Sequence, residues 1–413
     1  MPMKNGKFFW LHSLYLFLFL LVGCQSEPNR DVVSFAFAGD TAELAAYQTL
    51  ISAFEQTYPE ITIQLRHSPS RQGFQQKLVT MFDAGQPPDV VLLNYRRFAR
   101  FAADGDLQPA ERFLDESDFN QAGFYPIALD AFTWQNELWC VPQNISSLVV
   151  YYNQDLFDAA GMAYPSAGWT WADFLQMAQT LTHAEVYGAG IDPNLYRLAP
   201  FVWQAGGSVF EAGTGLLPAS PENLAALTWF TELQTQHGVL PNALAAESQP
   251  LEDRFITGRL GMFFDSRRAT PTLRAVAEFR WDVAPLPKGE HTAGVLHSDG
   301  YCLGQEPSKA TQTFIRFAVS AEGQTILAQT GRTVPSLRAL AESDVFLDPN
   351  LQPEASQIWL DGVNHLNLVP IHPNWIQIEE MASAEIEQAF YGRITPEMAL
   401  ERISSKIAPL VAP

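Results

Sequence analysis

The sequence predicts an α/β protein, and three observations carry that prediction. Short apolar runs alternate with amphipathic segments from Asp31 onward. The runs are bounded by turns, as buried strands of a wound sheet are. The composition, 47% hydrophobic and 17% charged, is that of a globular chain with a large core.

The first 23 residues stand apart from that pattern. Lys4 and Lys7 precede an apolar run from Phe8 to Val22, too short for a membrane span and right for a secretory leader. The run ends in Leu21-Val22-Gly23-Cys24, which resembles the lipobox of bacterial lipoproteins, with Cys24 as the lipidated residue; an ordinary leader with an incidental cysteine is the plainer reading. Residues 24–30 are polar and read as a tether. The expected product is exported and held to the membrane through its N-terminal lipid only.

From Asp31 the elements follow in order. Val33, Phe35 and Phe37 alternate as a strand, and Gly39 ends it. Asp40 with Glu43 opens a helix in capping-box fashion, its apolar face Leu44, Tyr47, Leu50, Ile51 and Phe54. Ile61, Ile63 and Leu65 form a second strand, Phe74 to Phe82 a second helix, and Asp89 to Leu93 a third strand. Strand–helix alternation of this kind implies a parallel sheet with helices on both faces. Ligands of such sheets bind beyond the carboxyl ends of the strands, here Asp40 and Asn94-Tyr95. Asp40 has two readings, a ligand contact and a helix cap.

Between Leu138 and Tyr152 two apolar runs are separated by Gln143 to Ser147, either a hairpin or one strand passing between domains. Further on come a helix opened by Thr170, a glycine-rich segment at Gln204 to Gly215, and a helix near Pro221 to His237. A strand at Gly261 to Asp265 and C-terminal helices at Ser383 to Phe390 and Pro396 to Ile407 complete the chain.

Composition excludes several functions. The chain from Cys24 carries 23 basic against 45 acidic side chains, which repels nucleic acid and anionic membrane surfaces. Cys140 and Cys302 are too far apart in sequence for a zinc motif; they fit either one disulfide or two buried thiols. The His365/His372 and His291/His297 pairs lack helical ligand spacing, so no metal or cofactor is expected. H-E-x-x-H, G-x-S-x-G and phosphate-loop patterns are missing from the sequence.

Several motifs resemble the family 1 extracellular solute-binding proteins, the sugar receptors of ABC importers. They are Pro88-Asp89-Val90, Phe98 to Pro109, Leu138 to Pro142 with Val149 to Asn153, and Gly168 to Phe174. Trp203 to Ser208, Phe255 to Met262 and Phe279 to Pro287 continue the series in the same order. The resemblance implies a two-lobed periplasmic-binding-protein fold of type II, each lobe a mostly parallel sheet flanked by helices. Residues 31–142 and 301–345 would form the N-terminal lobe, and 143–300 with 346–413 the C-terminal lobe. Val141 to Ser147 and Val295 to Tyr301 would be the crossing strands, which places both cysteines beside the hinge. It further implies a monomeric, non-enzymatic receptor that closes on its ligand and delivers it to an ABC permease outside the cytoplasm.

Sugar rings stack on aromatic faces, and their hydroxyls need carboxylates, amides and guanidiniums. The loop aromatics Trp134, Trp171, Trp203 and Trp375 are the expected platforms, with Gly206 and Gly207 allowing close backbone approach; Trp171 could equally staple a helix start. Asp40, Asn94, Tyr95, Asn144, Asp265, Arg267, Asp299 and Arg332 are the expected polar contacts, with Arg268 the structural member of its pair. Arg267 and Arg332 would also suit a phosphorylated or anionic ligand such as a glycerophosphodiester. A surface glycoside hydrolase using two carboxylates is the alternative from another class. A receptor that feeds a sensor is a third.

Overall fold

A computed structural model describes residues 31–113, 119–211 and 215–411. The leader, Cys24 and the tether lie outside the described residues. Among the described residues no helix is long and apolar enough to cross a membrane.

The first lobe begins as the alternation predicts: β1 (Asp31–Ala38), α1 (Thr41–Thr57), β2 (Ile61–Ser68), α2 (Arg71–Asp83) and β3 (Val90–Asn94). Asp40 is the N-cap of α1, its carboxylate accepting from the Glu43 backbone N–H at 2.9 Å. Glu43 does not complete the box: its carboxylate turns to Arg332 instead. Chain passage to the second lobe runs through β4 (Cys140–Pro142), β5 (Asn144–Ser147) and β6 (Val149–Asn153), so the hairpin reading is wrong.

The second lobe holds α3 (Trp171–Leu181), β7 (Tyr187–Gly190), α4 (Leu195–Gln204), α5 (Pro221–Thr235), β8 (Leu260–Asp265) and β9 (Trp281–Ala284). Thr170 and Asp173 form a reciprocal capping box at the start of α3. The chain returns through β10 (Gly294–His297) and β11 (Asp299–Leu303), then lays α6 (Lys309–Val319) and α7 (Ala321–Gln329) on the first lobe. It crosses once more through β12 (Val334–Pro335) and β13 (Leu366–Asn367). The last helices, α8 (Trp375–Phe390) and α9 (Pro396–Val411), pack on α5.

Three sheets follow from this path. The first-lobe sheet has the order β2-β1-β3-β11-β4, the second-lobe sheet β9-β6-β8-β7, and β12-β5-β10-β13 lie between them as the hinge layer. The expectation of mostly parallel sheets needs correction. Only the β1–β2 and β1–β3 pairs in the first sheet, and β7–β8 in the second, are parallel. Strands β11 and β6 enter directly from the hinge layer without a crossover helix, and a strand that does so is free to pair antiparallel.

Both lobes have aromatic-rich cores. Phe54 meets Phe314 of α6 at 5.2 Å between ring centroids, and Tyr151 meets Trp281 at 5.8 Å. Cys140 and Cys302, directly opposed on β4 and β11, form a disulfide, so the two-thiol reading gives way.

Candidate functional site

The cleft lies where the carboxyl ends of β3 and β8 face each other across the hinge layer, with a volume of about 290 Å3. Asn94 closes β3. Its amide nitrogen donates to the Ser298 carbonyl at 3.0 Å and to Asp299 Oδ1 at 3.1 Å. From the hinge, Asn144 Oδ1 accepts from the Asp299 backbone N–H at 3.1 Å. Two amides therefore fix Asp299 at the cleft wall. It has no ion-pair partner among the described residues.

Asp265 closes β8 and is 1% exposed. A buried carboxylate needs compensation. Arg197 Nη2 supplies it at 2.9 Å on one oxygen, and Arg268 Nη2 at 2.6 Å on the other. Arg268 also reaches Glu252 at 3.3 Å. On the opposite wall Arg332 bridges Asp40 at 2.7 Å and Glu43 at 2.8 Å. Arg96 sits 2.5 Å from Glu379. All four arginines lining the cleft are thus already paired with carboxylates.

The protonation equilibria follow these pairings. Burial pushes the Asp40 carboxyl up, but Arg332 and the Glu43 backbone N–H outweigh it and hold the carboxyl below its ordinary value. Burial works against the charge of Arg268 and Arg332, yet their carboxylate partners raise both above the ordinary guanidinium value. Burial raises Glu252 despite Arg268 beside it.

Of the residues expected from sequence, the structure brings Asn94, Asn144, Asp265, Asp299 and Arg332 to the cleft. Asp40 is a cap and the partner of Arg332 but does not line the cleft. Tyr95 is fully buried, its hydroxyl accepting from the Val369 N–H at 3.3 Å. Arg267 points away, into a pocket between Phe346 and Trp359, while its neighbour Arg268 lines the cleft. That reverses the expected roles of the pair. Side chains leaving a turn at adjacent positions point different ways, and sequence does not say which way is inward.

None of the four aromatic platforms lines the cleft. Trp134 packs on Trp139 at 5.9 Å in a short hairpin. Trp171 stacks on Trp229 at 4.3 Å and donates its indole N–H to Gln204 at 2.7 Å. Trp203 is half-buried on α4 and does not line the cleft. Gly206 turns with φ +79°, and a Cβ on Gly207 would sit 2.1 Å from Asn223 Oδ1; packing, and no ligand, explains that pair. Trp375 is 1% exposed and donates to Glu379 at 3.1 Å. Trp171→Ala is therefore expected to lower stability by about 1–3 kcal/mol and leave ligand affinity unchanged, as titration of the folded variant would show.

Sequence reasoning missed Arg96, Glu379, Tyr196, Arg197, Ser146 and His297, all on the cleft wall. Three were within reach. Arg96 lies two residues past Asn94 at the same strand end, and Asn194 marks the N-terminus of the helix that carries Tyr196 and Arg197. Ser146 Oγ has no protein hydrogen-bond partner among the described residues.

Two α/β lobes, a three-passage hinge layer and a polar cleft at the strand ends are the architecture of a two-lobed binding protein. The chain belongs to the bacterial extracellular solute-binding protein family, whose sequence profile matches residues 38–325. It is similar to an ABC substrate-binding protein of Listeria monocytogenes solved with cycloalternan, at 26% identity and a TM-score of 0.86, covering 92% of this chain and 99% of that one. The arabinooligosaccharide-binding protein of Halalkalibacterium halodurans is 20% identical over 53% of this chain and 49% of its own length. UgpB of Mycobacterium tuberculosis, solved with glycerophosphocholine, shares the fold with a TM-score of 0.80 at 20% identity, covering 91% and 98%.

Proposed function

We propose that the protein is the lipid-anchored receptor of an ABC importer and binds a neutral sugar or oligosaccharide between its lobes. In this reading residues 31–142 and 301–345 move against 143–300 and 346–413, and Cys24 carries the lipid. The closed complex then delivers the ligand to a permease. The protein itself performs no chemistry on it. The Listeria relative, solved with cycloalternan, and the Halalkalibacterium relative, named for arabinooligosaccharide, support the ligand class.

The observation that carries the choice of a neutral ligand is the state of the cleft cations. Each of Arg96, Arg197, Arg268 and Arg332 already faces a carboxylate, whereas Asp299 has none to neutralise it. An anion entering there would meet no uncommitted guanidinium and would approach Asp299 against its charge. Hydroxyls, in contrast, donate to Asp299, and Ser146 Oγ supplies a further polar contact. Arg267, one of the two arginines that suited a phosphate, is buried elsewhere, and Arg332 is shared by two carboxylates.

The test is a thermal-shift screen of residues 25–413 against neutral mono- and oligosaccharides, sugar phosphates and glycerophosphodiesters. A ligand at one hundred times its Kd adds about 2.7 kcal/mol of stability. Shifts with neutral sugars alone are expected. Asp299→Asn should then weaken the best sugar by about ten- to a hundredfold, the loss expected for a hydrogen bond to a charged group. Shifts confined to phosphorylated compounds would overturn the neutral ligand. Release of reducing sugar from an oligosaccharide would replace the receptor with a hydrolase.

A further inference from the structure

Arg96 and Glu379 belong to different lobes. Arg96 lies two residues beyond the end of β3, at the edge of the first-lobe sheet. Glu379 projects from α8, which packs on α4 and α5 of the second lobe. Arg96 Nη1 stands 2.5 and 2.6 Å from the two Glu379 oxygens. Its guanidinium also lies over the ring of Tyr196, 3.8 Å from the centroid, and Tyr196 opens α4 on the same opposing lobe.

Each partner is held from its own side. Asn94 Oδ1 accepts from Arg96 Nε at 3.0 Å, and Trp375 donates its indole N–H to Glu379 Oε2 at 3.1 Å. Side chains fixed in this way lose little further freedom when they meet. Their side-chain exposures are 12% and 25%, so the pair is withdrawn from water well beyond an ordinary surface salt bridge. Next to it, the buried Tyr95 hydroxyl accepts the Val369 N–H across the same seam.

We infer that Arg96 and Glu379 are the positioning residues of lobe closure: a clamp that forms as the cleft shuts and holds the ligand-binding walls in register. The two side chains sit on opposite lobes, and Tyr196 beside them donates its hydroxyl to the Leu296 carbonyl of the hinge strand β10, so rotation about β5 and β10 changes their separation. The clamp therefore contributes only to the closed arrangement. A contact made only there raises the closed population, and with it the apparent affinity for whatever occupies the cleft. Tyr196 gives the clamp its shape preference, since a flat guanidinium covers its ring and an ammonium does not.

The experiment measures closure directly, so its outcome does not depend on which ligand is bound. Spin labels at Val79→Cys and Leu244→Cys, on exposed positions of α2 and of the second lobe, report the inter-lobe separation in residues 25–413. Arg96→Gln and Glu379→Gln are each expected to move and broaden the wild-type distance distribution, with Arg96→Lys between them and wild type. The double variant should go no further than either single one. Unchanged distributions in both single variants, with unfolding temperatures like wild type, would overturn the clamp. So would shifts that simply add in the double variant, because independent residues add and a pair does not.

Discussion

Replacing Cys140 and Cys302 together by serine lowers the stability of the protein by about 3–5 kcal/mol, read from denaturant melts beside the oxidised protein. The bond closes a loop of 162 residues in sequence, which contains the whole first passage through the second lobe. A loop of that length carries a chain-entropy effect near the top of the usual range, roughly 5 kcal/mol, before any loss in the folded state. The two residues are cross-strand partners with Cα atoms 4.3 Å apart, and both are fully buried. A loss under 1 kcal/mol would mean that the unfolded chain already keeps β4 and β11 together. The same variant should close normally. Both sulfurs lie in the first-lobe sheet, on the near side of the hinge layer, so the bond anchors the roots of the hinge strands without spanning the bend.

That pairing also marks the limit of what the sequence discloses. The spacing of Cys140 and Cys302 is compatible with a bridge, but only the register of β4 against β11 brings the two sulfurs together. Local elements were legible because local physics decides them. Alternating Val33, Phe35 and Phe37 can bury one face only as a strand, and Asp40 or Thr170 can cap only the helix that follows. The ends of β3 and β8 were legible for a related reason: polar residues closing apolar strands point to a ligand cleft in any α/β sheet.

The aromatic part of the site was not legible. Trp171 beside Thr170 and Trp203 beside Gly206 look like loop platforms, yet each has a partner far away in sequence, Trp229 or the helix-packed core. Stacking on a sugar and stacking on another indole leave the same local signature. Nor does sequence reveal that Arg96, Arg197, Arg268 and Arg332 each meet a carboxylate, since those pairs join residues from 3 to 292 positions apart. A cleft that reads as cationic from its arginines is electrically balanced once its carboxylates are counted.

Arg267 and Arg268 are neighbours whose truncation should have opposite consequences. Arg267 is 1% exposed, and no carboxylate pairs with it among the described residues. Burial pushes its guanidinium down to about 9, still charged at neutral pH. Its charge is accommodated by the rings of Phe346 and Trp359, at 4.3 and 4.7 Å, and by hydrogen bonds to the Gly331 carbonyl at 3.1 Å and Ser356 Oγ at 3.0 Å. Arg267→Ala empties that space and strands those acceptors, so a loss of about 3–5 kcal/mol is expected with affinity unchanged in the folded fraction. Arg267→Met, which refills the space and removes the burial of an unpaired cation, should recover most of that loss. Arg268→Ala reverses the pattern. It leaves Asp265 with Arg197 alone, costs less stability at its 40% side-chain exposure, and weakens ligand binding because Asp265 stands in the cleft wall. Chemical melts and ligand titrations on the same three variants separate the two roles. Equal affinity losses for Arg267→Ala and Arg268→Ala would mean that the buried guanidinium reaches the ligand through the Gly331 turn, which carries Arg332 as its next residue.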